Sequence, residues 1–211
     1  PLLSASPLWF PIVAPVGAVT MILGVFMALG QNDLKKILAY TTVAVLGTLT
    51  MLLGIGTELA VKAAMAYLLA HALYKAALFM TAGTIDHETG TRDPELLGGL
   101  RRVMPFTAAA ALLGGLSMAG VPMLLGFVSK EYFYKALLEA PGLGMWWEVL
   151  GVSASVVMVA LAITAGIKPF WGQLRPTPKQ AHEAPWTMWL GPLLLGVAGI
   201  KTGLFPSYAG A

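Results

Sequence analysis

The chain has no cysteine, which excludes disulfide staples, thiolate metal sites and cysteine-ligated iron–sulfur clusters within its 211 residues. It is also short of charge: Asp, Glu, Lys and Arg make up 11% of the sequence, against about 25% in soluble domains. So few charged groups cannot coat the apolar surface that comes with 57% hydrophobic residues and a mean hydropathy of +0.77. The composition therefore points to a polytopic membrane protein in contact with the lipid bilayer. No basic run is interleaved with aromatics, so the formal net charge of +3 reads as loop bias, and no nucleic-acid partner is expected. Neither a G-x-G-x-x-G nor a P-loop pattern occurs. His, Asp and Glu show no metal-site spacing, so neither a cofactor nor a metal is expected. No methionine, basic leader or cleavage signal precedes the first apolar segment, and the expectation is a piece of a longer polypeptide.

What is present is a series of long apolar runs. Six spans can be drawn, at 9–29, 37–55, 59–84, 106–138, 147–167 and 186–205. The fold class is an all-α polytopic membrane helix bundle. The run 106–138 is too long for one straight span, since at about 1.5 Å per residue it would reach about 50 Å. Gly120, Pro122 and Gly126 supply an interruption, because proline removes a backbone donor and glycine admits non-helical dihedrals. Tryptophans 146, 147, 171, 186 and 189 fall at span ends, where interfacial aromatic belts form. Lys35, Lys36, Arg92, Arg101, Arg102, Lys168, Arg175 and Lys179 fall in loops on one side, and Glu58, Glu139 and Glu148 on the other. The positive-inside rule makes the basic side cytoplasmic and puts both chain ends on the outer face.

The third span carries the chemistry. Tyr67, His71 and Lys75 are spaced four apart, which stacks them on one helical face in a run whose other residues are uncharged. A lysine at the centre of a membrane helix costs about 2.5–3.5 kcal/mol on insertion scales. Histidine can accept and donate protons through its two ring nitrogens, and a lysine out of water loses basicity, so the pair can act as a proton switch. The structural alternative is a histidine bonded to a backbone carbonyl and a lysine snorkelling to the interface; finding both at helical spacing near mid-span favours conduction. Lys130 follows the break. Freed carbonyls of the first half-helix would stabilise its cation, whereas the start of the second would disfavour it. Glu131 can pair with Lys135 one turn on, and the alternative is a helix end reaching water. Lys35 and Lys36 fit an ordinary helix start with Asp33 as cap, while Lys62 and Lys201 fit snorkelling positions near span ends. His87 and His182 are placed in polar loops.

Four segments in order resemble a known family: DLKKILAYTT at 33–42, HALYKAALF at 71–79, GVP at 120–122 and GFVSKE at 126–131. They are similar to the signatures of the proton-translocating antiporter-like subunits. That family includes large membrane-arm subunits of respiratory complex I and the A subunit of Mrp-type sodium/proton antiporters. The loop DHETGTRD at 86–93 is similar to the Mrp version. The resemblance implies that Lys75 is the central lysine of a conduction axis and Lys130 the lysine of its broken helix. His71 and Lys35 would link them to internal water and to the cytoplasmic side, with Tyr67, Lys36 and Glu131 as secondary candidates. Complex I relatives often carry a second histidine where Tyr67 stands, and tyrosine is a poor proton carrier at neutral pH.

The implied activity is proton translocation within a multi-subunit sodium/proton antiporter of a bacterial or archaeal inner membrane, with other membrane subunits as partners. Residues 1–211 would be the C-terminal part of one module, without its preceding inverted repeat or a C-terminal extension, and so not a complete transporter. The alternatives are a proton-pumping subunit of an NADH:quinone oxidoreductase or membrane-bound hydrogenase, whose redox cofactors reside in other chains, and a structural membrane scaffold.

Overall fold

A computed structural model describes residues 6–142 and 144–204. These form seven α-helices and no strand: α1 Trp9–Leu29, α2 Leu34–Ile55, α3 Glu58–Thr89, α4 Pro105–Ala119, α5 Leu125–Leu138, α6 Gly144–Gly166 and α7 Trp186–Leu204. Five of them are long and apolar enough to cross a membrane, and α4 with α5 makes the sixth crossing in two halves. Each span drawn from hydropathy therefore has its helix or pair of helices, with ends that differ by up to five residues. The residue at which the last one was expected to end, Phe205, lies outside the described residues.

Local chemistry sets the boundaries. Asp33 caps α2 by accepting from the Lys35 and Lys36 amides at 2.8 and 3.2 Å, and Thr57 caps α3 by accepting from the Ala60 amide. α1 and α2 form a hairpin packed so closely that a Cβ added to Gly17 would lie 2.2 Å from the Met51 nitrogen. The outer face of α1, with Ile12, Val16, Val19, Leu23 and Phe26, is left exposed and apolar, as a surface facing lipid or a neighbouring protein must be.

The central helix, α3, packs against α2, α4, α5 and α7. Its 32 residues are longer than the roughly 20 that span hydrocarbon, and the surplus protrudes at the basic end. Here the structure corrects the sequence reading, which ended the span at Thr84 and placed His87 in a loop. The helix runs on through Asp86, His87 and Glu88 to a left-handed cap at Gly90. Tertiary partners satisfy these polar residues, so the helix does not need to stop at them. Asp86 meets Lys35 at 3.1 Å. The Glu88 carboxylate, only 4% exposed, lies between His87 Nδ1 at 2.9 Å and His182 Nε2 at 3.2 Å.

The connection from 167 to 185 straps this end of the bundle together. Its Lys179 amide donates to the Thr89 carbonyl, its Arg175 amide to Gly98, and the Gly99 amide donates to its Trp171 carbonyl. Glu183 accepts from the Phe106 amide at 2.7 Å and from the Thr107 hydroxyl at 2.6 Å, capping α4. Lys168 pairs with Glu95 and holds its carboxyl below the usual carboxylate range. The basic residues assigned to one side by alternation thus meet at one end of the molecule.

Candidate functional site

Tyr67, His71 and Lys75 lie on the buried face of α3, with exposures of 5%, 8% and 5%. Lys75 is close to the middle of that helix and does not snorkel. Its ammonium group donates across to α2, to the Leu38 carbonyl at 2.7 Å and to the Thr41 hydroxyl, and its nitrogen stands 5.9 Å from the Phe79 ring centre. One turn away, the His71 ring packs edge-on against Tyr74. Its Nε2 is the one buried side-chain nitrogen or oxygen among the described residues without a hydrogen-bond partner. Such orphaned groups are rare and call for an explanation. Tyr67 closes this row against Phe133 of α5, ring centres 5.9 Å apart, beside a cavity of about 10 Å³.

The second buried lysine stands at the break. α4 ends in paired bonds from the Gly120 and Val121 amides to the Leu116 carbonyl, with Gly120 at φ 82°. That leaves the Ala119 carbonyl free, and Lys130, 8% exposed, donates to it at 2.8 Å. Of the two half-helix ends at the break, the cation sits on the carbonyl end of α4, where the helix dipole favours it. A Cβ on Gly120 would press to 2.6 Å from Lys130 Cδ, so glycine here both turns the chain and admits the lysine.

Gly126 has a different role from the one expected. It lies in the first turn of α5, past the break at 120–124, and gives close approach: a Cβ there would come within 1.8 Å of the Ser117 carbonyl oxygen. The break itself contains Pro122 and Met123, whose φ of 76° is unusual for a side-chain-bearing residue. α5 runs against α3, and Phe133 meets Tyr67. Lys130, one turn earlier on α5, therefore falls at the level of the Ala70–His71 turn.

Lys35 is half-exposed at the basic end of α2 and joins Asp86; Arg92 bonds Asp33 at 2.9 Å and lies 3.6 Å from Asp86. It does not touch Lys75. The link is the helix they share, since Lys35 opens α2 and Thr41 lies less than two turns further in. Lys36 is exposed, and Glu131 pairs with Lys135 at 2.7 Å on the surface, so neither joins the buried row. Lys62 pairs with Glu58. Replacing Arg92 by Gln is expected to lower the melting temperature of the assembled complex only slightly, by the equivalent of about 0–1 kcal/mol, because ion pairs this exposed are screened; thermal unfolding at low and high salt measures it.

Sequence reasoning missed the groups that receive the two ammoniums. Backbone carbonyls leave no mark in a sequence. Thr41 does leave one: it is a hydroxyl on the buried face of α2, one turn from the Leu38 carbonyl.

Fold and site together define a class, that of integral membrane helix bundles holding titratable cations in their interior without carboxylate partners. Residues 1–163 match the family described as "NADH:quinone oxidoreductase/Mrp antiporter, TM", and the chain belongs to that family. It is 40% identical to the A subunit of the Na(+)/H(+) antiporter of Alkalihalophilus pseudofirmus, over 98% of this chain and 29% of that protein. It is 39% identical to the A/B subunit of a probable K(+)/H(+) antiporter of Rhizobium meliloti, over 98% of this chain and 21% of that one. Among solved structures, the Mrp complex from Dietzia sp. superposes with a TM-score of 0.86 at 37% identity, covering 97% of this chain and 22% of the matched chain. The chain thus spans under a third of the length of these relatives.

Proposed function

We propose that this chain is the C-terminal part of a proton-translocating module in a multi-subunit monovalent cation/proton antiporter, exchanging sodium for protons across a bacterial or archaeal inner membrane. The observation that carries the reading is the solvation of Lys75 and Lys130. Both are buried, both donate only to neutral oxygens of neighbouring helices, and among the described residues neither forms an ion pair with a carboxylate. A structural ion pair would keep each lysine permanently charged. Carbonyl and hydroxyl oxygens can hold an ammonium and still release an amine, which a proton carrier requires. His71 stands one turn from Lys75 on α3 and at the level of Lys130, and its free Nε2 is the atom to which internal water would deliver a proton from Lys75. Lys35, on the side we assign to the cytoplasm, exchanges protons with the aqueous phase. Tyr67, packed on Phe133 at the end of the row, carries no protons in this reading.

Sodium is the exchanged ion favoured by the relatives named as A subunits of Na(+)/H(+) antiporters. The test uses inverted vesicles containing the complete complex with an imposed proton gradient. Addition of sodium is expected to collapse the gradient, with potassium much weaker. An assembled complex that responds to neither ion overturns the reading. The family description also covers quinone oxidoreductases; NADH-dependent quinone reduction by the purified complex would transfer the same proton path to a redox-driven pump.

A further inference from the structure

We infer that Thr41 is the positioning residue for Lys75, and that rotation of its hydroxyl gives both protonation states of that lysine a hydrogen-bond partner. This rests on the reading of Lys75 as a proton carrier. The ammonium form has N–H donors only. In the observed geometry Lys75 donates to the Leu38 carbonyl and to Thr41 Oγ1. Thr41 Oγ1 in turn lies 2.9 Å from the Ile37 carbonyl and 3.0 Å from that of Leu38, either of which takes the hydroxyl proton. All these groups are buried.

Loss of a proton changes what the nitrogen needs. The amine has two N–H bonds and one lone pair, and a lone pair buried without a donor is costly. The Leu38 carbonyl can only accept, so it serves the ammonium and a remaining amine N–H but never the lone pair. The Thr41 hydroxyl can do both. Turning about its Cβ–Oγ bond moves its proton from the backbone carbonyl to the Lys75 lone pair, and no covalent bond is made or broken. The carbonyl it leaves does not go unsatisfied: Leu38 also accepts from the Thr42 hydroxyl at 2.9 Å, and Ile37 keeps its place in the helical ladder. Thr41 passes no proton onward, because the oxygens behind it are amide carbonyls. It therefore holds Lys75 in place through both halves of a cycle, and it does so from the helix that carries Lys35.

The experiment compares Thr41→Val, which keeps the shape and removes the hydroxyl, with Thr41→Ser, which keeps the hydroxyl, and with Lys75→Met, all in the complete complex in inverted vesicles. Assembly is followed by co-purification of the subunits. Thr41→Val is expected to assemble and to slow sodium-dependent proton movement by about tenfold to a hundredfold, as expected for loss of one hydrogen bond to a charged group. Its pH–rate profile moves to lower pH, because the ammonium loses a stronger bond than the amine does. Thr41→Ser restores both rate and profile. If Thr41→Val keeps the wild-type rate and profile while Lys75→Met is inactive, the role of Thr41 is overturned and the carrier reading stands. If Lys75→Met transports normally, the carrier reading itself fails. If Thr41→Val disturbs assembly, Thr41→Ala and Thr41→Ser decide: loss of rate with an unmoved pH profile in the assembled Ala variant overturns the inference.

Discussion

Lys75→Ala in the assembled complex is expected to abolish cation-dependent proton movement, lowering the initial rate in inverted vesicles by at least about a hundredfold, the lower end of what a positioned proton-transfer group contributes. The fold should survive. Leu38 O and Thr41 Oγ1, which receive the ammonium, keep other partners inside α2, so no buried polar group is orphaned by the loss of the lysine. Removing a charge from the middle of a membrane helix also relieves an insertion penalty of about 2.5–3.5 kcal/mol. The melting temperature of the complex should therefore stay level or rise while transport disappears. A structural role predicts the reverse, transport falling only as far as stability does. Lys75→Arg sharpens the contrast, since guanidinium keeps the charge but does not deprotonate in proteins; an inactive, assembled Arg variant separates the need for a proton from the need for a charge. Normal sodium-dependent exchange by assembled Lys75→Ala complex would remove this lysine from the path.

Gly126→Val is expected to have the opposite signature, loss of assembly with transport lost as a result. Even alanine puts a Cβ 1.8 Å from the Ser117 carbonyl oxygen and 2.7 Å from its carbon. The obstructing atoms are backbone, so no side-chain rotation relieves the overlap. The halves of the broken helix must move apart, and overpacking of this kind costs about 1–3 kcal/mol or more. The separation also withdraws the Ala119 carbonyl from Lys130, whose 2.8 Å bond spans the break. Recovery of subunits in the co-purified complex measures the outcome. Normal recovery with a wild-type melting temperature would mean that the contact between α4 and α5 is looser than described.

What the sequence discloses and what it hides follow from the range of the interactions involved. Hydropathy is local, so five single-helix spans and the interrupted sixth can be read directly, and proline with flanking glycines marks the interruption. The spacing of four between Tyr67, His71 and Lys75 is also local, and it places all three on a buried face. The partners of the two lysines lie 37 and 11 positions away and are mostly backbone carbonyls, for which residue type carries no signal. The same applies to the end of α3: Asp86, His87 and Glu88 look like loop residues until Lys35, Arg92 and His182 are brought to them by the packing of other segments. In sequence Gly126 looks like a helix breaker, because glycine is ambiguous between turning and close approach. Only the position of Ser117 distinguishes the two.

Among the described residues no carboxylate forms an ion pair with Lys75 or Lys130. Each proton held by the described interior adds a full positive charge to a region of low permittivity, and like charges there repel over long range. Such an interior works as a small capacitor: the first charge raises the free energy of adding the second, so filling one lysine favours emptying the other. Protonation of both at once is therefore the state that a nearby negative charge would stabilise most.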